Sequence, residues 1–207
     1  MDAQHAEIKE RVQRFALSIH RTRQIHAHEV FNDAFAGAKL TGPDGKPLCS
    51  DSHPLSPSQP DKTQSNVMNA ELSLEALEEA RLRMLNWTDD RGNKLLRVPD
   101  TLLIPPALGL KARELLESPD RPDTADRAIN VRRGAYKIIE LPFLESSKAW
   151  FLVDSRVAKM FLKWFERRKP VPERHEDFDT ETLKWKAIAR YAYGFHHWSW
   201  IIGSNPA

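Results

Sequence analysis

Cysteine is almost absent: Cys49 is the single one in 207 residues, so no internal disulfide can staple the fold and no second thiol is available for a shared zinc site. Long apolar runs are missing as well. Nothing approaches the ~20 residues that span a bilayer, and the polar N-terminus lacks the apolar stretch of a signal peptide. These absences point to a reducing compartment, the cytoplasm or something assembled there, and to no membrane partner. No Gly-rich phosphate loop, HExxH or calcium-loop spacing occurs, and there is no internal repeat or low-complexity tail. No cofactor and no metal site is expected. An excess of one charge is also lacking: 31 basic and 29 acidic residues leave a net charge of +2, so no overall field marks a nucleic-acid binder. What remains is enough apolar content for a core in one domain or two small ones.

The longest uninterrupted stretch is 2–37, which contains no Gly or Pro before Gly37 and reads as one helix. Ile8, Val12, Phe15 and Ile19 step by four, three and four, which keeps them on one side of a 3.6-residue turn. A second apolar set, Val30, Phe31, Ala34 and Phe35, closes the segment. At 1.5 Å per residue such a helix is roughly 50 Å long, more than a compact domain of this size needs. Residues 38–70 follow as a long polar loop punctuated by Pro43, Pro47, Pro54, Pro57 and Pro60, with a turn at 43–45 and a short extended piece over 46–50.

Residues 72–86 predict a second helix capped by Ser73, with Leu74, Leu77, Ala80, Met84 and Leu85 as its buried stripe. Acids at its start and Arg81 and Arg83 near its end suit the helix dipole. A turn over 89–93, a short apolar strand over 101–106 and a third helix over 106–117 come next, with Leu108, Ala112, Leu115 and Leu116 facing inward. The charged segment 118–128 reads as an exposed loop. From Tyr136 the pattern becomes short aromatic and β-branched runs. AYKIIELP and KAWFLVD read as strands, and VAKMFLKWF fits a strand or a short helix. TLKWKAIARYAY and HHWSWIIGS, divided at Gly194, read as an antiparallel pair.

The chemistry-bearing residues mostly carry plain explanations. His26 and His28 point about 200° apart on a helix and cannot share a metal, and His196 and His197 in a strand face opposite ways. Cys49 and His53 form the one conceivable thiol-and-base pair, but nothing local lowers the thiol pKa. Arg11, Arg14, Arg132, Arg133, Arg167 and Arg168 are small basic clusters, candidates for assembly or DNA contact, with Trp164 and Trp185 near the last two. Acidic residues are interleaved with them, and a solvated charged face explains them equally well. The tryptophans of the C-terminal half are more often core than ligand platforms.

RTRQIHAHEVFNDAF, PDGKPLCSDSHP, LSLEALEEARLRM with DDRGNKLLRVPDTLLIPPAL, the AYKIIELPFL and AWFLVD pair, and DFDTETLKWKAIARYAYGFHHWSWIIGS follow one another along the chain. Together, in this order, they resemble the major capsid proteins of tailed phages of the Hong Kong 97 type, most closely the major head subunit of Mu-like phages. The resemblance covers nearly the whole chain. It implies an α+β subunit: a long spine helix lies on a C-terminal antiparallel sheet as a peripheral domain, 1–67 and 156–207, and an α/β axial domain occupies 68–155. Spine packing then falls to Ile8, Val12, Phe15, Ile19, Phe31 and Phe35, and 118–128 becomes a candidate axis loop. The implied role is a structural, non-enzymatic subunit of an icosahedral virion capsid around packaged DNA, assembled as pentamers and hexamers in the bacterial host cytoplasm. Relatives carry an N-terminal arm and an extended loop ahead of the spine helix, whereas this helix begins beside Met1. A second capsid polypeptide supplying both, so that this chain is part of a split subunit, is therefore an expectation. The alternatives are an encapsulin-like nanocompartment shell, a nucleic-acid-binding regulator and a small hydrolase centred on Cys49 and His53.

Overall fold

The apolar run Trp150–Val153 is the middle strand of a five-stranded sheet. In the computed structural model, which describes residues 2–120, 129–177, 179–180 and 182–206 except the side chains of 2–6 and Ile8, the chain divides into two units. One comprises Met1–Ala27 and Trp164–Tyr193, the other His28–Lys163 and Gly194–Ala207. Helix and strand are mixed throughout, an α+β composition.

In chain order the elements are α1 (Asp2–Asn32), β1 (His53–Ser56), β2 (Gln59–Gln64), β3 (Val67–Met68), α2 (Leu74–Asn86), β4 (Thr101–Ile104), α3 (Gly109–Glu117), β5 (Lys137–Glu140), β6 (Trp150–Val153), α4 (Ser155–Phe161), β7 (Leu162–Glu176), β8 (Leu183–Phe195) and β9 (Ile201–Ser204). The large unit holds the sheet β3-β9-β6-β4-β5. β6 runs antiparallel to both neighbours, with Leu152 opposite Leu102 on one side and Ile202 on the other. β5 and β3 join in parallel at the edges.

Strand alternation sends the β6 side chains to two different cores. Trp150 and Leu152 join Leu77, Ala80 and Met84 of α2 and Ala112, Leu115 and Leu116 of α3. Phe151 meets Phe31 and Phe35, with ring centroids at 5.7 and 5.5 Å. Because both faces of the strand are covered, all four of its residues are buried, and the sequence there is a continuous apolar run instead of an alternating one. Ser73 Oγ accepts from the Ala76 N–H at 3.1 Å and starts α2, and the α2 stripe is buried as the spacing requires except that Leu85 is only half-buried.

Three local readings are corrected. The long helix stops at Asn32, not Gly37. The Asp33 carboxylate accepts from the N–H groups of Ala38, Lys39 and Leu40 at 2.6–2.8 Å and draws the chain into a reversal, with Gly37 at φ +63°, a conformation glycine adopts without strain. Residues 38–70 are not all loop: β1 and β2 form an antiparallel hairpin and β3 joins the large sheet, while 46–50 forms no strand. Pro54 and Pro60 are tolerated because each strand of a two-stranded sheet has an open edge. The last two runs do not pair with each other. β8 pairs with β7, and β9, expected among the peripheral strands, lies between β3 and β6. The ambiguous run resolves into both forms: Asp154 Oδ1 accepts from the Val157 N–H at 3.1 Å to start α4, and β7 follows. Of the expected axis loop, 121–128 lies outside the described residues.

The segment 48–50 is fixed over β9 by one buried side chain. The Asn66 amide donates to the carbonyls of Leu48 and Ile201 at 2.8 and 3.1 Å and accepts from the Ser50 N–H at 2.8 Å. Its backbone bonds Ser50 and Gly203. Gly203 leaves no room for a side chain: a Cβ there would lie 2.7 Å from Cys49 Sγ and 2.9 Å from the Phe151 ring.

The smaller unit contains α1 up to Ala27 and most of β7 and β8. The Asp177 N–H donates to the Thr182 carbonyl across the turn at 3.0 Å, and so short a link forces the two strands antiparallel. Pro170 and Pro172 lie within β7.

Replacing Asn66 by Ala orphans two buried carbonyls and a buried N–H, and should cost about 3 kcal/mol in a denaturant titration at neutral pH. Gly203→Ala should cost about 1–3 kcal/mol through overpacking, read as a lower thermal midpoint.

Candidate assembly surfaces

No described residue of the smaller unit is fully buried; every buried side chain belongs to the larger one. Among the described positions of α1 up to Ala27, Val12, Phe15, Ile19, Arg23 and His26 are half-buried at three- and four-residue steps, and Ala27 is half-buried beside them. The corresponding side of the hairpin presents aromatics. Trp164 stacks on Tyr191 and Tyr193 with centroids at 4.6 and 5.4 Å, and Arg23 lies over the Trp164 ring at 5.6 Å while pairing with Glu166 at 3.0 Å. His26 Nδ1 is 2.6 Å from the Tyr191 hydroxyl. Beside this stack a cavity of about 520 Å³ is lined by Ile19, His20, Arg23, Trp164 and Pro170. Cation–π and stacking contacts of this kind are worth about 1 kcal/mol each, so the unit is held by a few half-exposed contacts without a core.

In the larger unit a groove of about 1110 Å³ runs along α2. Its apolar lining includes Leu74, Leu82, Trp87 and Val131, of which Leu82 and Val131 are exposed. Glu78 stands at its side between Arg81 and Arg132. The Arg81 hydrogen bonds, helped by the Arg132 charge, hold its carboxyl below the ordinary range.

The thiol-and-base idea fails on electrostatics. Cys49 is buried, and burial pushes its thiol far above the ordinary range, the opposite of what a nucleophile needs. His53 is fully buried; its Nδ1 lies 2.6 Å from Asp44 Oδ2, and its ring stacks on Trp198 at 4.7 Å. His197 covers the same indole at 5.6 Å. His28 is buried edge-on against Phe143 at 5.3 Å. Among the described residues no group of three or more His, Cys, Asp or Glu could hold a metal ion, and no helix is long and apolar enough to cross a membrane.

The helix-and-hairpin unit thus exposes part of every described residue, whereas the sheet unit has a dense core. A family model described as phage capsid protein matches residues 2–203. The chain belongs to the phage capsid protein family. No curated protein matches it. The family is structural, not enzymatic; its members assemble into the capsid shell of a virion, and assembly requires contacts between copies.

The residues singled out in the sequence of this capsid protein are distributed as follows. Val12, Phe15 and Ile19 are half-buried on the α1 stripe, Phe31 and Phe35 pack on Phe151, and the Ile8 side chain lies outside the described residues. Among the six arginines, Arg11 and Arg14 pair with Glu7 and Glu10 one turn back, at 2.7 and 2.5 Å. Arg132 joins Glu78, Arg133 donates to the Glu117 carbonyl at 3.1 Å, and Arg168 pairs with Glu173 at 3.3 Å. Arg167 alone of the six has no partner among the described residues. Trp164 is occupied by its own unit's stack, so it is no base platform. Sequence reasoning passed over Asn66, Asp33 and Asp154, polar residues whose only signal was a position near a turn or a strand end. It also passed over Arg190, and Lys169 entered only as the end of the Arg167 and Arg168 cluster.

Burial lowers the pKa of His53 despite the Asp44 hydrogen bond and charge, and burial with the nearby Arg97 and His53 lowers that of His197. An unfolded imidazole titrates near 6.5, so as the pH drops the unfolded chain takes up protons first. The stability these groups allow is complete above about pH 6.5 and is lost as the pH falls through the folded values. The denaturation midpoint should be lower at pH 5 than at pH 7.5, and His53→Gln should narrow the gap. An unchanged gap in that variant would remove His53 from the account.

Proposed function

We propose that this capsid protein is a shell-forming subunit of the Hong Kong 97 type, nearest to the major head subunit of Mu-like phages, and that it closes an icosahedral head of pentamers and hexamers around packaged DNA in the bacterial host cytoplasm. The observation that carries the reading is that no described residue of the smaller unit is fully buried. A helix and two strands are marginal alone in water, and burial against other copies is the direct source of what they lack. In this reading α1 is the spine, the helix-and-hairpin unit is the peripheral domain, and the sheet with α2 and α3 is the axial domain. Many modest contacts become strong through multiplicity, and closed symmetry sets how many copies share them. The α2 groove, with exposed Leu82 and Val131, is further surface that a neighbour can cover.

Electron microscopy of particles from cells expressing the chain with its neighbouring genes tests the reading. Closed shells containing DNA are expected; only monomers or small oligomers would overturn it, and shells filled with an enzyme in place of DNA would mark a nanocompartment. Phe31→Asp, which sets a carboxylate against Phe151, should abolish particles.

A further inference from the structure

The face of the β7–β8 hairpin opposite the Trp164 stack carries cations that no described residue neutralises. Trp164 stacks on Tyr191 and Tyr193, so even-numbered residues of β7 share a side with odd-numbered residues of β8. The other side then presents Phe165, Arg167, Lys169 and Val171 from β7, and Lys186, Ile188 and Arg190 from β8. Lys186 pairs across the ladder with Glu173 at 3.5 Å, which fits that alternation. Glu173 is already shared with Arg168, and Lys184 is taken by Asp177 at the turn. Arg167, Lys169 and Arg190 are exposed and make no ion pair among the described residues, whereas most other arginines of the subunit are paired.

We infer that this face binds the phosphate backbone of duplex DNA, without sequence preference. Residues two apart on a strand repeat at about 6.6 Å, a spacing of the order of the through-space separation of neighbouring phosphates along one DNA strand, which exceeds their axial rise of about 3.4 Å because the strand winds. Arg167 and Lys169 therefore match a phosphate track. A protein partner is the poorer fit: Phe165, Val171 and Ile188 are exposed but separated by cations, without the continuous apolar centre that protein interfaces use. The inference rests on the proposed shell and names the surface that meets its contents.

Binding of the full-length protein to a short random-sequence DNA duplex, followed by fluorescence anisotropy across a KCl series, tests it. Three unpaired cations predict a slope of about −3 for log affinity against log salt. The triple variant Arg167→Gln, Lys169→Gln, Arg190→Gln should bind at least tenfold more weakly with a slope near zero, while its thermal midpoint stays at the wild-type value. Phe165→Ser with Ile188→Ser should leave DNA binding unchanged. Wild-type affinity in the triple variant would overturn the inference. So would loss of subunit association, in place of DNA binding, in either variant, because that result assigns the face to an acidic patch on a second copy. Particles from the triple variant separate this failure from failure of the shell reading: shells with a normal DNA content sink the DNA face and leave the capsid role standing.

Discussion

The larger unit depends on the Asn66 amide. A buried amide left without partners costs several kcal/mol in a low-dielectric interior, yet this one is satisfied on both ends and by its backbone. It binds two pieces of chain far apart in sequence, 48–50 and β9, to the strand that follows it. Through that junction a stretch with the composition of a surface loop becomes a cover for the sheet, so Leu48 and Cys49 are as buried as any strand residue. With 48–50 in place Phe151 is enclosed, and β6 can be apolar on both sides.

The helices were legible because periodicity is local. Ser73, the α2 stripe and the α3 stripe need no knowledge of partners, and the same arithmetic continues along α1 beyond the expected residues to Arg23 and His26. Pairing was not legible. HHWSWIIGS has the apolar content of a strand, but whether it lies beside β8 or between β3 and β6 depends on contacts with strands distant in sequence, such as Val67 opposite Gly203 and Trp150 opposite Ser204. The prolines of 38–70 excluded a helix correctly. They did not exclude edge strands, since an edge proline gives up a donor that faces outward. Of the arginine clusters, composition showed where charge accumulates but not which charges were already paired. That distinction needs the register of a helix turn or a ladder.

The two units embody different strategies. One concentrates its stability in a sheet covered on both faces. The other distributes a few stacking and ion-pair contacts along a long lever and buries none of its described residues completely. For a capsid protein this division matches the proposed shell: one part is densely packed within itself, and the other offers surface for contacts between copies. The cohesion of such an assembly is therefore collective, and a change too small to unfold a single subunit can still matter when multiplied over a shell.

Pro170 and Pro172 give the hairpin a sidedness of another kind. A protein stockpiled at high concentration before it assembles is exposed to unprogrammed growth, in which one free strand recruits the next chain. β7 lacks backbone donors at two alternate positions and is a poorer template along that stretch. β8 has no proline. The hairpin thus joins one strand with its full set of backbone donors to one that lacks two of them.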